Sequence, residues 1–313
     1  MKKSISSILL LIVLLLFVVA CTKPSSQATK GRFIGGSEGL KISFIKDEPP
    51  AVVSDNNQDE FDIGINLKNA GEEDIEANDV IVTLNGIEKD VFSLSSLSAK
   101  NEDSLAGKQR LRDRDIEGEE GEVLFQKLKY KEQLPADLDV EVRADVCYEY
   151  GTLAIAELCL KKQPNERNTN DICELTDENV DASNSGAPVK IANVMQRPKG
   201  NDKVLFTFDI IKDGSGDVFE SGTFSDKCGV DDDKLDRVNI DVHFRGSGAS
   251  LSCNIAGGKT KGTVKLLSGK RTVRCEASSI SQDIAFKKPV EIKLDYTFKD
   301  SVSKTFTVES TDF

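Results

Sequence analysis

Tryptophan is absent from this chain of 313 residues, methionine occurs twice, and His243 is the single histidine. These are poor ingredients for an active site or a sugar-stacking groove, which draw on imidazole and indole. A surplus of positive charge is lacking too. Against 53 Asp and Glu there are 41 Lys and Arg, for a formal net charge of −12 and a pI of about 4.8. That balance excludes nucleic acid as a partner, because its phosphates need a basic face. It also disfavours broad docking on anionic lipid. No stretch sustains a helical period, no C-x-x-C pair occurs, and past the leader there is no N-x-[ST] acceptor for N-glycosylation.

Short motifs that hint at chemistry fail on their surroundings. Gly258-Lys259-Thr260 would end a phosphate-binding loop, but the first Gly of that motif would fall at Cys253 and no helix pattern follows. No nucleotide is expected. Gly246-Ser247-Gly248 is not a nucleophile elbow, which needs Gly two residues to either side of the Ser. Asp231-Asp232-Asp233 lacks the spaced ligands of an EF-hand loop, and such acidic turns are usually just solvated. Carboxylates abound, yet nothing singles out a pair for glycoside hydrolysis. No cofactor and no metal are expected.

What is present begins at the N-terminus. Lys2 and Lys3 precede residues 8–20, a run without charge, Gly or Pro, and Val18-Val19-Ala20-Cys21 closes it. This is a signal-peptide layout with a small residue before the cut. The four residues resemble a lipobox, the motif at which lipoprotein signal peptides are cleaved, and the resemblance implies a lipidated Cys21. Val19 departs from the commoner Ala or Ser. The alternative is an uncleaved helix, since residues 4–22 just reach the span of about 20 that crossing a membrane takes. In either case residues 1–20 are signal or anchor and residues 21–37 a flexible tether. The remainder of the chain is expected to be extracytoplasmic and anchored to the membrane.

Beyond Cys21 there are six cysteines: Cys147, Cys159, Cys173, Cys228, Cys253 and Cys275. An even set in an exported chain reads as disulfides. In the run from Leu138, even positions are apolar, so Cys147 falls on the polar face beside Asp145 and Glu149. A fold-back at Gly151-Thr152 would set it opposite Cys159. Cys253 and Cys275 share parity with apolar neighbours and should meet in the core. Cys173 and Cys228 remain, to tie the linker to the second half.

Apolar residues alternate with polar ones over 61–67, 80–84 and 138–146, then again over 204–210, 238–244, 251–255, 273–277, 290–298 and 306–308. Period two marks strands with one buried face. Residues 99–122 are crowded with charge and read as a long solvated loop. Residues 163–187, polar and rich in Asn, Asp and Ser, read as a linker. The fold expected is therefore all-β, with one β-sandwich at 38–162 and another at 188–313.

Residues 60–71 align with 205–216 as weak internal copies, each an alternating strand ending in a small polar turn. The turn Leu67-Lys68-Asn69-Ala70-Gly71 resembles the L-x-N-x-G turn of immunoglobulin-like modules on bacterial and archaeal surfaces, particularly the CARDB type. With its lipoprotein stem, the chain is also similar to surface lipoproteins of small-genome archaea. The resemblance covers a small part of each half. It implies tandem immunoglobulin-like sandwiches used for spacing or adhesion, and it transfers no binding residues.

His243 lies between Val242 and Phe244, on the face of Asn239, Asp241 and Arg245, and should turn to solvent rather than act as a base. The reading is a non-enzymatic, membrane-anchored surface protein, held by an N-terminal lipid or helix. Its partner is an unidentified envelope or surface protein, met through loops or sheet edges. Two alternatives stand beside it: a solute-binding lipoprotein of a transporter, which usually needs two α/β lobes, and a secreted hydrolase, which needs a catalytic motif.

Overall fold

Alternation decides the secondary structure. The computed structural model describes residues 32–112 and 114–311, which contain strands and no helix. Chain order runs β1 (Leu40–Phe44), β2 (Val52–Ser54), β3 (Phe61–Asn69), β4 (Val80–Asn85) and β5 (Ser98–Lys100). After these are β6 (Gln109–Leu111), β7 (Arg114–Ile116), β8 (Glu120–Leu128) and β9 (Leu138–Leu160). Next come β10 (Glu178–Val180), β11 (Ala182–Asn184), β12 (Val189–Lys199), β13 (Lys203–Lys212) and β14 (Asp217–Glu220). Last are β15 (Arg237–Phe244), β16 (Ser250–Cys253), β17 (Lys261–Lys265), β18 (Lys270–Ser278) and β19 (Phe286–Glu309).

β1, β3 and β8 form a small antiparallel sheet, and β10, β12, β13, β18 and β16 form a second. The largest sheet has the order β17-β15-β19-β9-β4-β5, with β11 added to β9, and β14 and β2 added to β19. Its axis is the antiparallel pair β9 and β19, unbroken in register from Leu160 opposite Phe286 to Leu138 opposite Val308. At about 3.3 Å per residue that ladder is roughly 75 Å long. Its two ends serve different partners. Phe61 of β3 and Phe92 pack on Phe306 of β19, with ring centroids 5.7 and 6.1 Å apart. Toward the other end, the amide of Cys159 in β9 donates to Gln196 of β12 at 2.9 Å.

The halves repeat each other. β4 pairs with β9 as β15 pairs with β19, and β3 and β13 both lie inside the smaller sheets. At the centre Tyr148 stands opposite Phe298 and Tyr150 opposite Tyr296, all four buried. The Tyr148 hydroxyl accepts from the amide of Leu40, where β1 begins, at 3.1 Å. The Tyr296 hydroxyl lies 3.1 Å from Thr152 Oγ1, which donates to the carbonyl of Val189, where β12 begins, at 2.5 Å. The turn glycines also match. A Cβ on Gly71 would collide with the Tyr150 hydroxyl, and one on Gly216 with the carbonyl of Lys299.

Four expectations change here. The halves do not close as separate domains on either side of 163–187, because residues from Arg32 onward make one unit with one continuous core. β9 passes straight through Gly151-Thr152, and the polar run after Phe298 stays inside β19 instead of ending it. Residues 163–187 are also more than a linker, since they supply β10 and β11. Residues 99–122 are not a solvated loop. They hold the β6–β7 hairpin and bury Leu105, which bridges to Ile75. The leader, Cys21 and the tether up to residue 31 lie outside the described residues.

Candidate binding surfaces

The six cysteines form Cys147–Cys228, Cys159–Cys173 and Cys253–Cys275. The last joins directly opposed residues of β16 and β18 on the core face, as expected. The pairings Cys147–Cys159 and Cys173–Cys228 are corrected. Because β9 does not fold back, Cys147 and Cys159 sit on one strand, roughly 40 Å apart. Cys147 keeps the face of Asp145 and Glu149, opposite the core residues Val146 and Tyr148, but it is buried there because the segment holding Cys228 covers it, with the Cys228 amide donating to Thr83 Oγ1 of β4 at 2.9 Å. Cys159–Cys173 pins the loop after β9, where Lys161 Nζ meets Asp171 at 2.8 Å. The amide of Ala285, then Lys161, hold the Asp171 carboxyl below the usual carboxylate range. Disulfides of this kind form and persist in oxidising compartments.

On the outer face of the largest sheet, where the halves meet, lies a cleft of about 780 Å³. The loop between β3 and β4 contributes Glu72, Glu73, Asp74, Glu76 and Asp79, and the sheet adds Glu149, Asp241 and Asp295. Among the described residues that line it, only Lys261 and Lys293 oppose these eight carboxylates. Several carboxylates are engaged in the framework. Glu72 accepts from the amides of Ile34, Gly35 and Gly186 at 3.0, 2.8 and 2.6 Å. Glu149 accepts from Ser221 Oγ at 2.7 Å, from the amide of Gly222 at 3.0 Å, and from the Thr297 hydroxyl. Glu73 differs: burial pushes its carboxyl above the usual range, with Lys293 pulling the other way. A concave surface of one sign concentrates oppositely charged groups, so this cleft favours cationic ones.

His243 turns outward on β15, as expected. Its Nε2 is 3.1 Å from Glu291 Oε2 on β19 and its Nδ1 3.8 Å from Asp241. Burial alone would raise the Glu291 carboxyl, but Arg245 and then His243 hold it below its ordinary range. The imidazole therefore sits in a surface cluster with Asp241, Arg245 and Glu291. Asp231-Asp232-Asp233 lies in an exposed stretch, where the Asp233 amide donates to Asp231 Oδ1 at 3.2 Å. Among the described residues no three His, Cys, Asp or Glu side chains are grouped to hold a metal. Gly258-Lys259-Thr260 lies between β16 and β17, so a strand comes after it.

No protein-family model and no curated protein matches the chain. Among solved structures, the secreted serine protease VesC from Vibrio cholerae is similar at 9% identity and a TM-score of 0.19. That match covers 84% of this chain and 51% of the protease. A protein of unknown function from Porphyromonas gingivalis W83 is similar at 10% identity and a TM-score of 0.14, covering 77% and 84%. The chain thus spans about half the length of the protease. Likeness at this level carries no argument about fold or activity.

Residues that sequence reasoning missed are the carboxylates of the β3–β4 loop and the paired tyrosines. The density of Glu72-Glu73-Asp74 directly after the Gly71 turn was a legible sign for the first. Tyr148-Glu149-Tyr150 and Tyr296-Thr297-Phe298, in corresponding long strands, were the sign for the second.

Proposed function

We propose that this is an extracytoplasmic protein, anchored to a membrane by its N-terminal segment, whose role is structural, adhesive or interactive rather than catalytic. Its halves are read as two immunoglobulin-like sandwich lobes that share β9 and β19. Lipidation at Cys21, or a retained helix, supplies the anchor. The observation that carries the reading is the bracing. The continuous β9–β19 ladder and Cys147–Cys228 hold both lobes in a single frame, while Cys159–Cys173 and Cys253–Cys275 brace a loop and a sheet within it, and His243, Glu149 and Asp171 serve that frame through polar contacts. The solute-binding alternative loses its architecture, since the described residues form no helix.

The test uses the full chain in a host that makes lipoproteins. The protein should fractionate with membranes, take up lipid label, and lose that label in Cys21→Ala with uncut precursor accumulating. Unlabelled wild-type protein that keeps Met1 would replace the lipid with a helix. Recovery in the cytosol, or turnover of peptides or glycans by the purified chain, would refute the reading.

A further inference from the structure

The outer edge of β19 is paired along most of its length. β15 covers residues 290–295, β14 covers 296–299 and β2 covers 307–309. Between them, among the described residues, 300–306 pair with β9 alone. The Thr307 amide bonds the carbonyl of Ala51, and the Arg245 amide bonds the carbonyl of Pro289, both on this outer side. Backbone groups of odd-numbered residues therefore point outward, namely those of Ser301, Ser303 and Thr305. The Asp300 carboxylate caps the Ser301 amide at 2.8 Å, whereas Ser303 and Thr305 are exposed.

β1 borders the same opening. Among the described strands it pairs only with β3, and bonds at Gly39 and Ile45 fix which groups face that partner. By alternation those of Ile42 and Phe44 face away. A cleft of about 770 Å³ lies against this side, floored by Ile42, Val302 and Phe298. Ile42, Phe44 and Val302 are core-facing residues left only partly covered.

The internal repeat says what is missing. In the second half the corresponding edge of β9 is covered by β11, which runs antiparallel at residues 154–156 just ahead of β12. The segment preceding β1 takes another course. Ile34 and Gly35 donate to Glu72, and the Gly36 carbonyl accepts from Ala187. Open backbone donors and acceptors on an edge strand are a template for another strand. We propose that this edge receives an extended segment of about seven residues from a partner protein. The segment lies antiparallel to β19, bonded at Ser303 and Thr305, with alternate small apolar side chains covering Ile42, Phe44 and Val302.

The proposal rests on the interaction role above. The probe is a capped heptapeptide of alternating Val and Thr, added to the purified full chain in detergent, with amide exchange followed at Ser303 and Thr305. Exchange at both should slow at least ~10-fold on binding, as for amides entering a ladder. Ser303→Pro removes the edge donor without touching the β9 ladder, so it should abolish binding and leave the melting curve in place. A peptide N-methylated on its bonding amides should fail to bind, and this control decides the matter should the proline variant not fold. Unchanged exchange at about 1 mM peptide, or binding that survives N-methylation, would overturn the proposal. So would protection that grows with protein concentration alone, which would give the edge to a second copy of the chain. Failure here leaves the membrane location standing, while a cytosolic or catalytic result would remove the role without changing exchange at this edge.

Discussion

Removing Cys147–Cys228 should weaken the fold more than removing Cys159–Cys173. The first bridge joins residues 81 apart in sequence and the second residues 14 apart. A cross-link removes loop-closure entropy from the unfolded chain in proportion to the logarithm of loop length. That gives about 4.5 kcal/mol for the longer loop and about 3 kcal/mol for the shorter at 25 °C. Packing widens the gap, because Cys147 and Cys228 are both buried while Cys173 is half-exposed. The perturbations are the double variants Cys147→Ala/Cys228→Ala and Cys159→Ala/Cys173→Ala in the full chain, and the assay is thermal melting. The difference of about 1.5 kcal/mol corresponds to roughly 2–3 °C for a unit of this size. The Cys147/Cys228 variant should melt lower by at least that much. Equal melting points, or the reverse order, would refute the reasoning. Cys253–Cys275, with a separation of 22 residues, should fall between the two at about 3.4 kcal/mol plus its core packing. Sequence parity ranks Cys253→Ala above Cys147→Ala, but its premise is an exposed Cys147, which the structure removes.

Tyr148→Phe should cost about 1–3 kcal/mol, because the buried Leu40 amide would lose its acceptor; denaturant melts and faster exchange at Leu40 would show it, and an unchanged Leu40 amide would contradict it. In Asp209, burial raises the carboxyl, but Lys270, Thr272 and Asn193 together hold it below its ordinary range. Its stabilisation is therefore complete above the unfolded value near 3.9 and lost as pH falls through the lower folded value. Asp209→Asn should accordingly flatten the melting-temperature profile on the acid side of pH 4. Glu73 has the opposite sign: its raised carboxyl favours the fold at low pH and loses that contribution as pH rises. Glu73→Gln should be neutral or stabilising at pH 7, and a clear loss there would mean that the charge is needed. His243→Ala, on an exposed strand face, should shift stability by no more than about 0.5 kcal/mol, and a sharp drop in melting temperature or partner capture would make the imidazole functional.

The strands were legible in the sequence because their alternation records one buried face. β3, β13 and β15 show it directly, with Ile63, Phe206 and Ile240 all inside. Their connections were not legible. Gly151-Thr152 and the Asp300-Ser301-Val302-Ser303 run look like turns, yet both are strand interior: Thr152 is buried with its hydroxyl bonded to the Val189 carbonyl, while Ser301 and Ser303 lie on the exposed outer face, which tolerates polar residues. Reading β9 as a hairpin then misplaced two disulfides. The acidic cleft was hidden for a different reason. Its carboxylates come from the β3–β4 loop, β9, β15 and β19, which only the β9–β19 pairing brings together. His243 was legible because its surroundings are local to one strand and the strand beside it.

β19 does two jobs in succession, and this explains both the unity of the fold and its open edge. Its first part, opposite the end of β9, carries β15 and closes the second lobe. Its last part, opposite the start of β9, returns to the first lobe, where Phe306 fills the space between Phe61 and Phe92. The first lobe therefore cannot complete its core until nearly the last strand residues have docked. Contacts so distant in sequence carry a high loop-closure cost and slow folding. The Asp55 carboxylate reinforces that return, accepting from the amides of Leu134 at 2.6 Å and Thr311 at 3.0 Å. The outer neighbours of this last part come from other regions of the chain. β14 reaches it from one end and β2 from the other, and the stretch between them is left with its backbone groups facing out.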